Sequence, residues 1–208
     1  KAGKNVLAVE IFRQRAGDFG LGFVDWNPRP LDENLGIWRD VTVSVLQTVQ
    51  LKHAFVRSRV NTETLNEAWL TVGTELKNFD SKPISGKLVF TLDGVAVSKE
   101  IQLNANEIQE VKLDSKELDG LHIKNPKLWW SNGLGEPNLY TAELTFEANG
   151  KILASEHITF GIREIEDYFT PQGVRGFKLN GQEILIKGAG WTDDIFLRDT
   201  PESNEIHV

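Results

Sequence analysis

Apolar and polar residues alternate through the middle of the chain, most clearly in Lys87-Leu88-Val89-Phe90-Thr91-Leu92. The same period of two predicts strands over Phe55–Val60, Ala68–Leu76, Gly86–Leu92, Ser98–Leu103, Glu107–Leu113, Leu139–Ala148 and Ile152–Ile162. Asp93-Gly94 and Asn149-Gly150 fall between such runs, and these pairs supply the positive φ angles of a two-residue hairpin turn. Seven short strands with turns every 8–12 residues form the pattern of an antiparallel β-sandwich. No amphipathic helix of ten residues is apparent between 44 and 164. Val6–Phe12 and Gly36–Val43 read as two further strands, separated by a Gly-, Pro- and Trp-rich loop from Ala16 to Asn34.

The C-terminal segment changes character. Phe177-Lys178-Leu179 and Gln182–Lys187 flank Asn180-Gly181 as a third hairpin, and Gly188-Ala189-Gly190-Trp191-Thr192-Asp193-Asp194 comes next as a polar loop. A strand, a Gly-rich loop and an incipient helix are how a β/α unit begins. Thr200-Pro201-Glu202 has the form of a helix start, a capping hydroxyl followed by Pro. With no Met in the chain and so few residues after that start, the sequence is expected to be a segment of something longer.

Composition narrows the chemistry. The 208 residues are 40% hydrophobic and 25% charged, the range of a packed globular chain. A net charge of -7 with scattered Lys and Arg argues against a nucleic-acid partner, which needs clustered cations. No apolar run has the length of a membrane span. The absence of Cys removes disulfides, thiolate catalysis and Cys-type zinc sites. His53, His122, His157 and His207 share no metal-binding spacing, so no metal or other cofactor is expected. Gly20-Leu21-Gly22 and Gly133-Leu134-Gly135 lack the third glycine and strand–loop–helix order of a dinucleotide loop and read as turns.

Two acidic dipeptides stand in aromatic company. Asp32-Glu33 lies between Trp26 and Trp38, and Asp193-Asp194 comes just after Trp191. Carboxylates beside aromatic planes suit sugars, which offer hydroxyl edges and flat C–H faces. Neighbouring acids in a loop usually point apart, so solvated turn acids remain the alternative. Trp129-Trp130, if extended, point to opposite faces. One is expected in the sandwich core and the other against a neighbouring domain, with a sugar platform as the alternative.

Three longer motifs share one resemblance. Asp25-Trp26-Asn27-Pro28-Arg29-Pro30-Leu31-Asp32-Glu33-Asn34-Leu35-Gly36-Ile37-Trp38-Arg39-Asp40-Val41 resembles the end of the jelly-roll domain of glycoside hydrolase family 2. Leu128-Trp129-Trp130-Ser131-Asn132-Gly133-Leu134-Gly135-Glu136-Pro137-Asn138-Leu139-Tyr140 is similar to the signature near the end of that family's immunoglobulin-like domain. Phe160-Gly161-Ile162-Arg163-Glu164-Ile165, Phe177–Gly181 and Gly188-Ala189-Gly190-Trp191 resemble its entry into a TIM barrel.

The resemblance implies an all-β, immunoglobulin-like antiparallel β-sandwich at 44–164. It implies the C-terminal part of a sugar-binding jelly roll at 1–43 and the first hairpin, strand and loop of a truncated barrel at 165–208. It further implies a retaining β-glycosidase whose two catalytic Glu lie on late barrel strands, beyond Val208. Asn66-Glu67, Asn106-Glu107 and Asn204-Glu205 are not in barrel context, so the chain itself is expected to be inactive. Trp191, Asp193, Asp194 and Arg198 are candidates for the barrel mouth, and Asp32 and Asn34 for rim contacts to substrate. The Asp-Trp-Asn-Pro loop and the Gly-Trp-x-x-Asp-x-Phe-x-Arg run resemble the branch holding exo-β-glucosaminidases and mannosylglycoprotein endo-β-mannosidases. β-Galactosidases and β-glucuronidases are the alternative parent activities. Expected partners are a carbohydrate substrate and the enzyme's own jelly-roll and barrel domains, in a bacterial periplasmic or secreted setting. An independent carbohydrate-binding or adhesion module is the competing reading.

Overall fold

The computed structural model describes residues 3, 6–12, 36–37, 40–43, 45, 47–188 and 190. The chain divides into two compact units, Ser44–Lys187 and a second made of Lys1–Val43 with Gly188–Val208. In the first unit β1 (Val49–Val60), β2 (Glu67–Asn78), β3 (Ile84–Leu92), β4 (Val95–Leu103) and β5 (Ile108–Asp114) succeed one another. A 3-10 turn at Asp119–Leu121 leads to β6 (His122–Lys124), then β7 (Tyr140–Ala148), β8 (Lys151–Phe160), β9 (Ile165–Phe169), β10 (Arg175–Leu179) and β11 (Gln182–Ile184).

Every ladder among these strands is antiparallel. One sheet runs β1-β2-β5, with β6 pairing the start of β2, and the facing sheet runs β4-β3-β7-β8. This is an immunoglobulin-like sandwich in which the fourth strand pairs with the third rather than the fifth. The core comes from the inward face of each strand, for example Ala68, Leu70, Val72 and Leu76 of β2 against Leu88 and Phe90 of β3 and Leu144 and Phe146 of β7. Burying each such Leu or Phe contributes roughly 1.5–3 kcal/mol.

All three predicted two-residue hairpin turns have the geometry their sequences call for. Asp93 and Gly94 (φ 48° and 81°), Asn149 and Gly150 (52° and 71°) and Asn180 and Gly181 (49° and 82°) are left-handed pairs. They join Leu92↔Val95, Ala148↔Lys151 and Leu179↔Gln182. Primed turns of this kind match the twist of the strands they connect.

β1 begins six residues before its predicted start at Phe55. A bulge between Lys52 and Phe55, with His53 at φ 54°, shifts the inward phase of the strand. Val49 and Leu51 face the core before the bulge, and Val56 and Val60 after it. The buried Thr74 hydroxyl supports the bulge by donating to the Lys52 carbonyl (3.0 Å).

The predicted strands Val6–Phe12 and Gly36–Val43 need correction. Residues 6–12 and the described residues of 36–43 carry no strand, and Val6 and Phe12 are 81% and 76% exposed. Alternation alone does not make a strand; a ladder partner is required, and none pairs with them among the described residues. Leu139 also falls outside β7 and is exposed. Ile165–Phe169, not foreseen as a strand, pairs with β10.

Candidate functional site

The candidates Trp191, Asp193, Asp194, Arg198, Asp32 and Asn34 lie outside the described residues, as do Trp26, Trp38 and Asn204-Glu205. Among the described residues no cluster of three or more His, Asp or Glu has the form of a metal site. Glu67 is drawn to His122, whose Nε2 lies 3.2 Å away and whose ring stacks on Trp69 at 5.3 Å. These contacts are local to β2 and β6.

The best-built polar arrangement joins the sandwich to the β9–β11 sheet. Leu128 and Ile162 form a parallel bridge, and Trp129 N–H donates to the Ile162 carbonyl (2.9 Å). Two residues on, Glu164 is buried, although its type is rarely found inside unless its charge is answered. Its Oε1 accepts from Arg59 Nη1 and its Oε2 from Val60 N–H, both at 2.6 Å. Its main chain is clasped by the hairpin tip between β10 and β11. Glu164 N–H donates to Asn180 Oδ1 and Asn180 N–H to the Glu164 carbonyl, each at 2.8 Å. Asn180 Nδ2 donates to the Trp129 carbonyl (3.1 Å).

Gly181 completes this tip. A Cβ there would meet Thr62 at 2.9 Å, so the hairpin sits against the loop after β1. The two carboxylate oxygens, both main-chain groups of Glu164 and both ends of the Asn180 amide are thus all engaged. A buried polar network in this condition favours a single geometry.

Beside this junction opens a cleft of about 910 Å³, lined by Phe55, Arg57, Ser58, Lys112, Trp129 and Arg163 among others. Ser58 Oγ donates to the Arg163 carbonyl (2.6 Å) and accepts from Arg163 N–H (3.0 Å), which ties β1 to the segment after β8. The Arg163 guanidinium stands 4.4 Å over the Trp129 ring, and Arg57 stands 5.1 Å over Phe55. The two tryptophans do separate, but neither is fully buried. Trp130 packs on the sandwich core while Trp129 lies under Arg163 at the cleft.

On the three-stranded sheet Tyr168 lies across Gly176, where a Cβ would fall 2.4 Å from its ring. Desolvation pushes the phenol above its ordinary value, and the neighbouring Glu183 carboxylate adds to this through charge and a hydrogen bond.

Sequence reading passed over Glu164, Asn180 and Ser58 as functional positions. Only Asn180-Gly181 had a signal, as a turn; the partners of Glu164 lie 104 and 105 residues earlier.

Residues 49–163 match the family described as Glycosyl hydrolases family 2. The chain is 31% identical over 199 residues to an exo-beta-D-glucosaminidase of Streptomyces avermitilis, covering 95% of this chain and 22% of that protein. It is 29% identical over 179 residues to a mannosylglycoprotein endo-beta-mannosidase of Lilium longiflorum, covering 80% and 18%. The solved Amycolatopsis orientalis exo-chitosanase CsxA is similar with a TM-score of 0.75 and 31% identity, over 88% of this chain and 21% of that one. The chain spans about a fifth of the length of these relatives.

Proposed function

Because the chain belongs to glycosyl hydrolase family 2, we propose that it is the non-catalytic sandwich segment of a retaining β-glycosidase acting on β-glucosaminides or β-mannosides of glycans. Residues 1–43 are then the last part of a sugar-binding jelly roll, and 165–208 the entry to a (β/α)8 barrel. The acid/base and nucleophile carboxylates of the retaining mechanism belong to the barrel's later strands, so this chain alone has no hydrolytic activity. Trp191, Asp193, Asp194 and Arg198, with Asp32 and Asn34, serve as substrate contacts in the assembled enzyme. The enzyme works in the periplasm or outside the cell; no helix among the described residues is long and apolar enough to cross a membrane.

The observation that carries the reading is the Glu164 junction. A spacer between a sugar-binding domain and a barrel has to set the direction in which the chain leaves it. Here the exit from β8 is held by hydrogen bonds to β1 on one side and to the β10–β11 tip on the other. Substrate positioning tolerates little error, since about 1 Å of misplacement can cost 10²-fold in rate. The spacer's contribution is therefore rigidity.

Hydrolysis of aryl β-glucosaminide, β-mannoside, β-galactoside and β-glucuronide is the test, run on the 208-residue chain and on the parent enzyme carrying a complete barrel. Turnover by the longer protein alone, greatest on glucosaminide or mannoside, is expected. Hydrolysis by the 208-residue chain, or greatest turnover of galactoside or glucuronide, would overturn the reading in its role or its substrate respectively.

A further inference from the structure

The cleft beside the junction is cationic in an acidic chain. Arg57, Arg59, Lys112 and Arg163 line it with one carboxylate, Asp114, whereas the chain as a whole has a net charge of -7. The charge of Arg59 is answered by Glu164, and Asp114 accepts from the Lys116 N–H at 2.9 Å. Arg57, Lys112 and Arg163 have no carboxylate partner among the described residues.

Two of these side chains are held ready. Arg163 stands over Trp129, and its main chain is fixed by the paired bonds to Ser58. Arg57 stands over Phe55, which rests against Gly73, where a Cβ would lie 2.3 Å from the ring. A guanidinium carries its N–H donors in a rigid planar fork, which a carboxylate matches in a two-pronged pair.

We propose that this cleft docks an extended, acidic polypeptide segment, whose carboxylates are taken by Arg57 and Arg163. Strand β1 ends its sheet, so its outer side before Ser58 offers main-chain groups to an added strand. An extended segment carries alternate side chains on one face, so acids at every second position reach the cations together. An anionic saccharide fits less well, because the aromatic faces it would stack on are taken by Arg163 and Arg57. The docking is independent of the spacer role and needs no catalysis.

The 208-residue chain is titrated at low salt with a short fluorescent peptide alternating Glu and Thr, and with its Gln–Thr counterpart. Saturable binding of the Glu peptide alone is expected, weakened about tenfold in Arg57→Gln and in Arg163→Gln and largely lost in about 0.5 M NaCl. Lys112→Gln, on the exposed face of β5, should weaken binding while leaving the melting temperature unchanged. Lys87→Gln, in the facing sheet and paired with Glu100, should leave binding unchanged. A flat titration overturns the proposal, as does binding indifferent to the arginines. Equal or tighter binding of an oligogalacturonate at the same arginines overturns it in favour of a saccharide site.

Discussion

Glu164 and Asn180 hold each other by two bonds of equal length, Glu164 N–H to Asn180 Oδ1 and Asn180 N–H to the Glu164 carbonyl, both 2.8 Å. One residue leaves the sandwich and the other sits at the tip of a hairpin in a different sheet. Their contact makes the two sheets share one set of buried polar groups, and disturbing either residue reaches both.

Glu164→Ala should therefore lower stability by about 2–3 kcal/mol, since it strips the Val60 N–H and Arg59 of their acceptor. Hydrogen exchange should rise most in β9–β11, with a smaller change in β2 and β7. Glu164→Gln keeps one acceptor and should recover part of the loss. Uniform loss of protection across both sheets would show that the junction does not act locally.

Asn149 and Asn180 occupy equivalent turn positions, at φ 52° and 49°. Asn149→Ala should cost only the backbone strain of a left-handed alanine, about 1–2 kcal/mol. Asn180→Ala carries the same strain and also breaks the bonds to Glu164 N–H and the Trp129 carbonyl, so its melting temperature should fall clearly further. Equal losses in the two variants would reduce Asn180 to a turn residue.

Gly73→Ala places a methyl where Phe55 lies, 2.3 Å from its ring tip. Overpacking of this kind costs about 1–3 kcal/mol. Phe55→Leu with Gly73→Ala should regain part of that stability, and a double-mutant cycle by chemical denaturation measures the coupling.

Tyr168 should ionise above the ordinary tyrosine value of about 10. A raised acid favours its neutral form in the folded state. Its stabilising contribution is thus complete below the unfolded value and is lost as pH rises through the folded one. Ultraviolet titration, taken as the difference between the protein and Tyr168→Phe, should give a midpoint above 10 that moves down in Glu183→Gln.

The sandwich was legible where local chemistry decides the outcome. Asp93-Gly94, Asn149-Gly150 and Asn180-Gly181 all turn as their types demand, and β2, β3 and β7 keep to their alternation. β1 was half legible, because the bulge at His53 reverses the inward phase and makes one strand read as two patterns. β9 was hidden: only Tyr168 of its five residues is even partly buried, so no alternation marks it. Val6–Phe12 shows the opposite error, a strand-like pattern without a ladder. Glu164 could not be told from other glutamates, since its partners are distant in sequence and its burial exists only once the sheets have met. The motif Leu128–Tyr140 did mark the right neighbourhood: Trp129 within it touches Ile162, Asn180 and Arg163.

The bonds from Ser58 to Arg163 and from Val60 to Glu164 span 105 and 104 residues. On a ribosome, the first strand emerges long before the residues that cover its end. Until translation has passed Glu164, that edge has no native partner at its far end, and the Val60 amide stays in water. Long-range closures of this kind are slow to form. The sandwich therefore completes itself late, near the moment when the residues proposed to enter the barrel appear. Its own assembly and the orienting proposed for it would then be a single event in the life of the nascent chain.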